Sequence, residues 1–388
     1  MKGALSWPFL RLYILVLFYF SANAILNVLI PLQGKEWGAS NTTIGLVMGA
    51  YLFTTMFFRP WAGRIIQKYG PIRVLRIILI LNGAALAIYA VSGLGGYILA
   101  RVLQGVSTAF FSMALQIGII DALPEKDRSQ GISLYSLSSY IPGILGPLAA
   151  VAIWKDGMDS FGWVMIGIAV VTGVAGYSAK IDKGEEEQGS TEGGNVLGSF
   201  SQLVKNPFLF KCSVLMLASS IIFGAVTTFI PLYALELDRG SAGIFLMLQA
   251  ATVVAARFTL RKRVPSDGKW HPSFVLGTMS LLALSVQFIS FSSTAGPVFF
   301  YAAAVGIGIA QALIYPTLTT YLSFVLPKAD RNVLLGLFIA TADLGVSMGG
   351  VIMGPVADLT SYSAMYMACA VLAVLMIFFS FRGRPVTA

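Results

Sequence analysis

Apolar residues run in long blocks along this chain, separated by connections of only a few residues. The blocks cover 9–33, 41–63, 74–93, 97–121, 131–153 and 161–179, then 207–234, 241–260, 273–292, 297–325, 332–356 and 363–381. A transmembrane helix takes roughly 20 predominantly apolar residues, so each block predicts one span. Twelve such spans would use about 240 of the residues, which leaves no room for a sizeable soluble domain. The short connections predict antiparallel neighbours. The pattern breaks once, at 180–206, where Gly, Ser and Glu accumulate without apolar periodicity and predict a flexible cytoplasmic linker. The chain therefore reads as an all-α membrane protein of two six-helix bundles, residues 1–179 and 207–388.

An internal repeat supports the division. Leu29-Ile30-Pro31-Leu32 recurs as Phe229-Ile230-Pro231-Leu232, Gly45 as Gly243 and Arg59 as Arg257, at offsets of 200, 198 and 198. Farther along, LPEKDR at 123–128 recurs as LPKADR at 326–331, offset by 203, and Leu145-Gly146-Pro147 recurs as Met353-Gly354-Pro355, offset by 208. Helix parity is kept, so both halves take the same orientation in the membrane, a parallel duplication.

Composition agrees: 57% of residues are hydrophobic and 11% charged, against about 25% charged in a typical soluble domain. The net charge of +9 does not point to nucleic acid, because the basic residues are scattered between spans rather than gathered on one face. They report orientation instead. With both termini in the cytoplasm, nearly all Lys and Arg lie inside, among them Arg59, Arg64, Lys68, Arg73, Arg76, Arg257, Arg261, Lys262 and Arg263. Only Lys35, Lys155 and Arg239 lie outside. Cys212 and Cys369 sit in apolar runs and read as core residues, and His271 lies in a basic loop, so no soft metal site is expected. Lys2, the run Trp7–Phe20 and Ala22-Asn23-Ala24 imitate a cleavable leader, but the apolar run continues through Ile30, which favours a retained span.

Charges inside spans are costly and make functional candidates. Arg101 lies about a turn from the outer end of the fourth span. Asp343 lies about ten residues into the eleventh, hence about 15 Å deep. Arg101, Gln104, Thr108, Ser112 and Gln116 form a stripe on one face of the fourth span. Shorter stripes are Asn23 with Asn27, Ser220 with Thr227, Gln311 with Tyr315, and Asp343 with Ser347. Such residues either line a wet cavity or bond neighbouring helices. Asp121 either pairs with a basic loop residue or takes part in coupling. Pro31, Pro142, Pro147, Pro231 and Pro355 are expected to interrupt their helices, and Gly143, Gly146, Gly345, Gly349, Gly350 and Gly354 to allow close packing or bending. No paired carboxylates with a nucleophile, metal cluster or phosphate loop suggest an enzyme.

Three local motifs resemble the major facilitator superfamily. Gly63-Arg64-Ile65-Ile66-Gln67-Lys68-Tyr69-Gly70-Pro71-Ile72-Arg73 is similar to that family's loop between helices two and three, with Gln67 where the family has an acid. The resemblance makes Lys68 and Arg73, with Asp121 as their acidic partner, a candidate gate. Leu99-Ala100-Arg101-Val102-Leu103-Gln104-Gly105 resembles the fourth-helix element associated with proton or substrate coupling. Pro142-Gly143-Ile144-Leu145-Gly146-Pro147 resembles the fifth-helix element of drug and proton antiporters, with Pro142 replacing the first Gly. Longer stretches in both lobes, including QGVSTAFFSMALQIGIIDALPE and LLGLFIATADLG, resemble exporters of opine-type metallophore systems.

The resemblance implies a monomeric, multi-pass protein of the cytoplasmic membrane, surrounded by lipid. It would export a small, metal-free metallophore bearing carboxylates, amines and an imidazole, by alternating access, with the proton gradient as energy source and no cofactor. Arg101 would take a carboxylate and Asp343 an ammonium or a proton, while Asn23, Asn27, Gln104, Gln311 and Tyr315 would supply neutral hydrogen bonds. A broad multidrug/proton antiporter is the alternative, and a proton-coupled importer differs only in the direction of flux.

Overall fold

The computed structural model describes residues 3–178, 202–237, 240–265, 267–327 and 331–381, and among them there are helices and no strands. Twelve long helices follow in order: α1 Trp7–Glu36, α2 Asn41–Tyr69, α3 Pro71–Val91, α4 Leu94–Ala122, α5 Glu125–Lys155, α6 Phe161–Tyr177, α7 Pro207–Tyr233, α8 Ala242–Thr259, α9 Pro272–Ala295, α10 Pro297–Val325, α11 Arg331–Leu359 and α12 Tyr362–Phe381. Eleven of them are long and apolar enough to cross a membrane, and α6, at 17 residues, is the short one. Most of the expected linker, 180–201, lies outside the described residues; its end forms a short helix, Gln202–Lys205, and Asn206 then caps α7 by accepting from the Phe208 and Leu209 amides.

Two expectations are corrected. The prolines do not interrupt their helices: α1 runs through Pro31, α5 through Pro142 and Pro147, α7 through Pro231 and α11 through Pro355. Each Pro removes one backbone donor, and neighbouring helices and local adjustment accommodate that loss in a membrane-spanning bundle. Several helices also outrun their apolar blocks. Helix α5 begins at Glu125, before the block at 131, because its first turn is polar yet still helical.

The chain packs into two compact units. The first comprises Met1–Ile30 and Ala50–Glu192. Its core gathers Leu12, Leu15, Val16 and Tyr19 of α1 with Leu75, Ile78 and Leu79 of α3 and Phe111, Ala114 and Leu115 of α4. The Tyr19 and Phe111 rings stack at 3.6 Å. Gly146 of α5 lets that helix approach Ala24 of α1, where a side chain would clash.

The second unit comprises Pro31–Gly49 and Gly193–Ala388, so the first two turns of α2 group with the later helices. The reason is visible at the start of α2. A helix leaves its first amides without intrahelical acceptors, and the Asp358 carboxylate at the end of α11 accepts from Asn41 N at 2.8 Å, Thr42 N at 2.9 Å and Thr42 Oγ1 at 2.6 Å. The Tyr362 hydroxyl donates to Asn41 Oδ1 at 2.6 Å, and Ser347 Oγ donates to the Gly49 carbonyl at 2.8 Å. Cys212 and Cys369 are buried free thiols in α7 and α12.

Candidate functional site

Arg101, in the second turn of α4, is fully buried. Its Nη1 donates to Asn23 Oδ1 at 2.7 Å and to Gln104 Oε1 at 3.4 Å, and its Nη2 donates to Asn27 Oδ1 at 3.0 Å. The spacing explains the convergence. Asn23 and Asn27 are four apart on α1, and Arg101 and Gln104 three apart on α4, so each pair shares a helix face. These three partners are neutral oxygens: they orient and solvate the guanidinium without cancelling its charge.

A second layer holds the first. The Tyr51 ring of α2 lies under the guanidinium, 5.3 Å from Cζ to centroid, an attractive cation–π geometry. Tyr89 of α3 donates to Gln104 Oε1 at 3.2 Å. The Tyr51 hydroxyl donates to Thr108 Oγ1 at 3.1 Å, and Tyr19 shares the same hydroxyl at 3.0 Å. Gly105 allows this assembly, because a Cβ there would strike the Tyr51 carbonyl and the Thr54 side chain. Lower on the stripe, Ser112 bonds its own helix at Thr108 O, and Ser112 and Gln116 hydrogen-bond Tyr135 of α5.

In the second unit, Gln311 of α10 accepts from Gln249 Nε2 of α8 at 3.2 Å, and Tyr315, one turn on, stacks with Phe338 at 6.1 Å. Asp343 is half-buried on α11. Its expected companion Ser347 bonds Gly49 of a neighbouring helix instead, as the packing alternative has it, whereas Thr227 bonds its own helix at Phe223 O. Of the sequence candidates, then, Arg101, Gln104, Asn23 and Asn27 meet in one cluster of the first unit, while Gln311, Tyr315 and Asp343 belong to the second.

The loop motif is simple in form. Lys68 and Arg73 are exposed, with Lys68 over the Tyr69 ring at 5.2 Å. Gly70 turns the chain at φ 83°, and Pro71 starts α3. Gly63 faces open space. The side chain of Asp121 lies outside the described residues. Gly143 and Pro147 are within α5, and Gly354, next to Pro355 in α11, lies against the Asn41 carbonyl and Thr42. In the connection before α9, His271 Nε2 lies 2.9 Å from Asp267 Oδ1. That hydrogen bond, with one from the Lys269 amide, holds the Asp267 carboxyl below its usual range.

Residues 12–266 match the Major Facilitator Superfamily. The chain belongs to the major facilitator superfamily. It is 54% identical over 391 residues to the staphylopine export protein of Staphylococcus aureus (strain Mu50 / ATCC 700699), covering 99% of this chain and 98% of that relative. It is 24% identical over 351 residues to the inner membrane transport protein YajR of Escherichia coli (strain K12), covering 87% of this chain and 74% of that one. Among solved structures, a crystal structure of a variant of the nucleoside transporter NupG matches with a TM-score of 0.82 at 15% identity, over 96% of this chain and 99% of that one. That likeness shows the major facilitator fold. This member of the superfamily is a multi-pass membrane transporter.

Sequence reasoning missed Tyr51, Tyr89 and Gln249. A signal for two of them was present: the offset of 198 that relates Gly45 to Gly243 and Arg59 to Arg257 also relates Tyr51 to Gln249, the residues facing Thr108 and Gln311.

Proposed function

We propose that this transporter exports a metal-free opine-type metallophore, staphylopine or a close analogue, from the cytoplasm by alternating access in exchange for protons. The observation that carries the reading is the Arg101 centre: a fully buried guanidinium, set by three amide oxygens and an aromatic face, is suited to a bidentate carboxylate contact. A lipophilic cation would gain nothing from that centre. The full-length identity to a staphylopine export protein supports the same substrate class.

Asp343 is the carboxylate assigned to proton coupling. It stands midway along α11, where an ionisable group is expensive to keep without a task. The distribution of Lys and Arg supports both termini in the cytoplasm, which makes export the movement away from the basic ends of the helices.

The test measures metallophore inside and outside cells that synthesise it, with the protein present, deleted, or carrying Arg101→Ala or Asp343→Asn. Intracellular accumulation on deletion and in either variant is expected. Normal secretion from the deletion strain would overturn the metallophore reading in favour of multidrug efflux. An unchanged pH dependence of export in Asp343→Asn would overturn the coupling assignment alone.

A further inference from the structure

Gln249 is 7% exposed. Its amide nitrogen donates to Gln311, and its amide oxygen has no hydrogen-bond partner. With its nitrogen committed to Gln311, the end of Gln249 left unmet is a hydrogen-bond acceptor. A buried polar atom without a partner costs about 1–3 kcal/mol, whereas an apolar side chain of the same shape avoids that cost. Packing alone therefore argues for leucine here.

The equivalent place in the first unit sharpens the point. At the same offset stands Tyr51, facing Thr108 as Gln249 faces Gln311, and the Tyr51 hydroxyl is satisfied within the protein. Gly105 packs against the Tyr51 carbonyl and Thr54, and Gly308 packs against the Gln249 carbonyl and Thr252. The frame is repeated, but only the second copy carries spare hydrogen-bonding capacity. Gln311, half-buried, stands beside it, and Tyr315 follows one turn farther along the same helix face.

We propose that the Gln249–Gln311 amide pair is a recognition subsite for an N–H donor of the exported molecule, an ammonium or an imidazole N–H. This rests on the export reading above and adds to it the residue that selects for nitrogen. An amide oxygen accepts from either group and repels a carboxylate, the opposite preference to that of the Arg101 guanidinium. The orphaned oxygen gains its partner only when a donor-bearing molecule binds.

The test uses the purified full-length protein in lipid nanodiscs with two probes: metal-free staphylopine, and the same molecule permethylated at its amine and imidazole nitrogens so that no N–H remains. Gln249→Leu is expected to weaken staphylopine binding about tenfold or more, to leave the permethylated probe unaffected, and not to lower the thermal midpoint without ligand. Gln249→Glu, which keeps an acceptor, is expected to retain staphylopine binding. Equal loss for both probes or a leucine variant that fails to fold would assign Gln249 a structural role, and no loss for either probe would deny it any part in binding; each of these overturns the subsite. Wild-type protein that does not bind staphylopine would overturn the export reading, and the subsite with it.

Discussion

The two halves of this transporter share a scaffold and differ in chemistry. In each, a glycine of the fourth helix, Gly105 or Gly308, admits the second helix, and a polar side chain there, Tyr51 or Gln249, hydrogen-bonds to Thr108 or Gln311. The offsets relating these residues are those of the sequence repeat. At the place corresponding to Arg101, however, the second half has Ala304, fully buried, and in place of Asn23 and Asn27 it has Phe223 and Thr227. The difference teaches that the guanidinium and its amide cage came as a set. Where the amides are missing, the charge is absent too, as the cost of an unsolvated cation in a membrane interior requires.

The sharpest way to break this comparison is to move the charge. Ala304→Arg places a cation where the repeat supplies Phe223 and Thr227 in place of the amides, at a cost of about 2.5–3.5 kcal/mol on insertion scales, plus overpacking, so the variant is expected not to accumulate in the membrane. Adding Phe223→Asn and Thr227→Asn should recover part of that loss, read by fluorescence size-exclusion of a tagged protein; no recovery would separate the cage from the tolerance of the charge. The reverse change, Arg101→Ala, should leave expression near normal and weaken metallophore binding about 10- to 100-fold, since hydrogen bonds to a charged group contribute about 1.5–3 kcal/mol. Arg101→Lys, lacking the planar fork, should recover only a fraction.

The shared scaffold is tested by the glycines. Gly105→Leu and Gly308→Leu each force a side chain against backbone of the second helix, an overpacking cost of about 1–3 kcal/mol. Both should lower the thermal midpoint by similar amounts. A large effect in one half and none in the other would mean that the two contacts are not equivalent.

These particulars show what was legible in the sequence alone. Spans, bundle count and repeat were readable because a hydrocarbon core imposes length and hydropathy on every helix that crosses it. The Arg101 cluster was readable because a charge in a span stands out and because i, i+4 spacing places Asn23 and Asn27 on one face. Tyr89 was not, and Tyr51 and Gln249 were marked only by their shared offset of 198, since a tyrosine or glutamine within a span looks the same whether it packs, bonds or waits for a ligand. The prolines misled because an isolated sequence shows the lost amide but not the bundle that accommodates it. The grouping of α2's first turns with the later helices depended on Asp358, which lies 317 residues beyond Asn41.

That cap is the next asymmetry. The first residues of α8 are held within their own half, by Ser241 Oγ on Ile244 N and by the Tyr301 hydroxyl on Ser241 N. Those of α2 are held by Ser40 and by Asp358. A carboxylate at a helix start satisfies amides and meets the positive end of the helix dipole. Asp358→Ala should therefore destabilise the solubilised protein by about 1 kcal/mol, and Asp358→Asn, which keeps one acceptor oxygen, by less. If Asp358→Ala costs nothing while Ser40→Ala costs about 1 kcal/mol, the cap is local and the carboxylate adds nothing.

The smallest effect is expected where the halves differ most in loop length. A single residue, Gly70, joins α2 to α3, whereas the corresponding connection between α8 and α9 runs from Leu260 to His271 and contains the exposed Asp267–His271 pair. Because that contact and the Lys269 amide lower the Asp267 pKa, the stabilisation they give is present above the carboxyl's unfolded value, about 4, and is lost as pH falls through the lower folded value. Asp267→Asn should thus lower the thermal midpoint slightly near neutral pH and match the wild type below about pH 3. The difference should also shrink in 1 M salt, where the screening length falls to about 3 Å. Export should be unchanged throughout, because these hydrogen bonds stay within the connection and its junction with α9. A difference that persists at low pH would show that the asparagine perturbs the turn itself, and that the carboxylate's charge does not tie the longer connection to the start of α9.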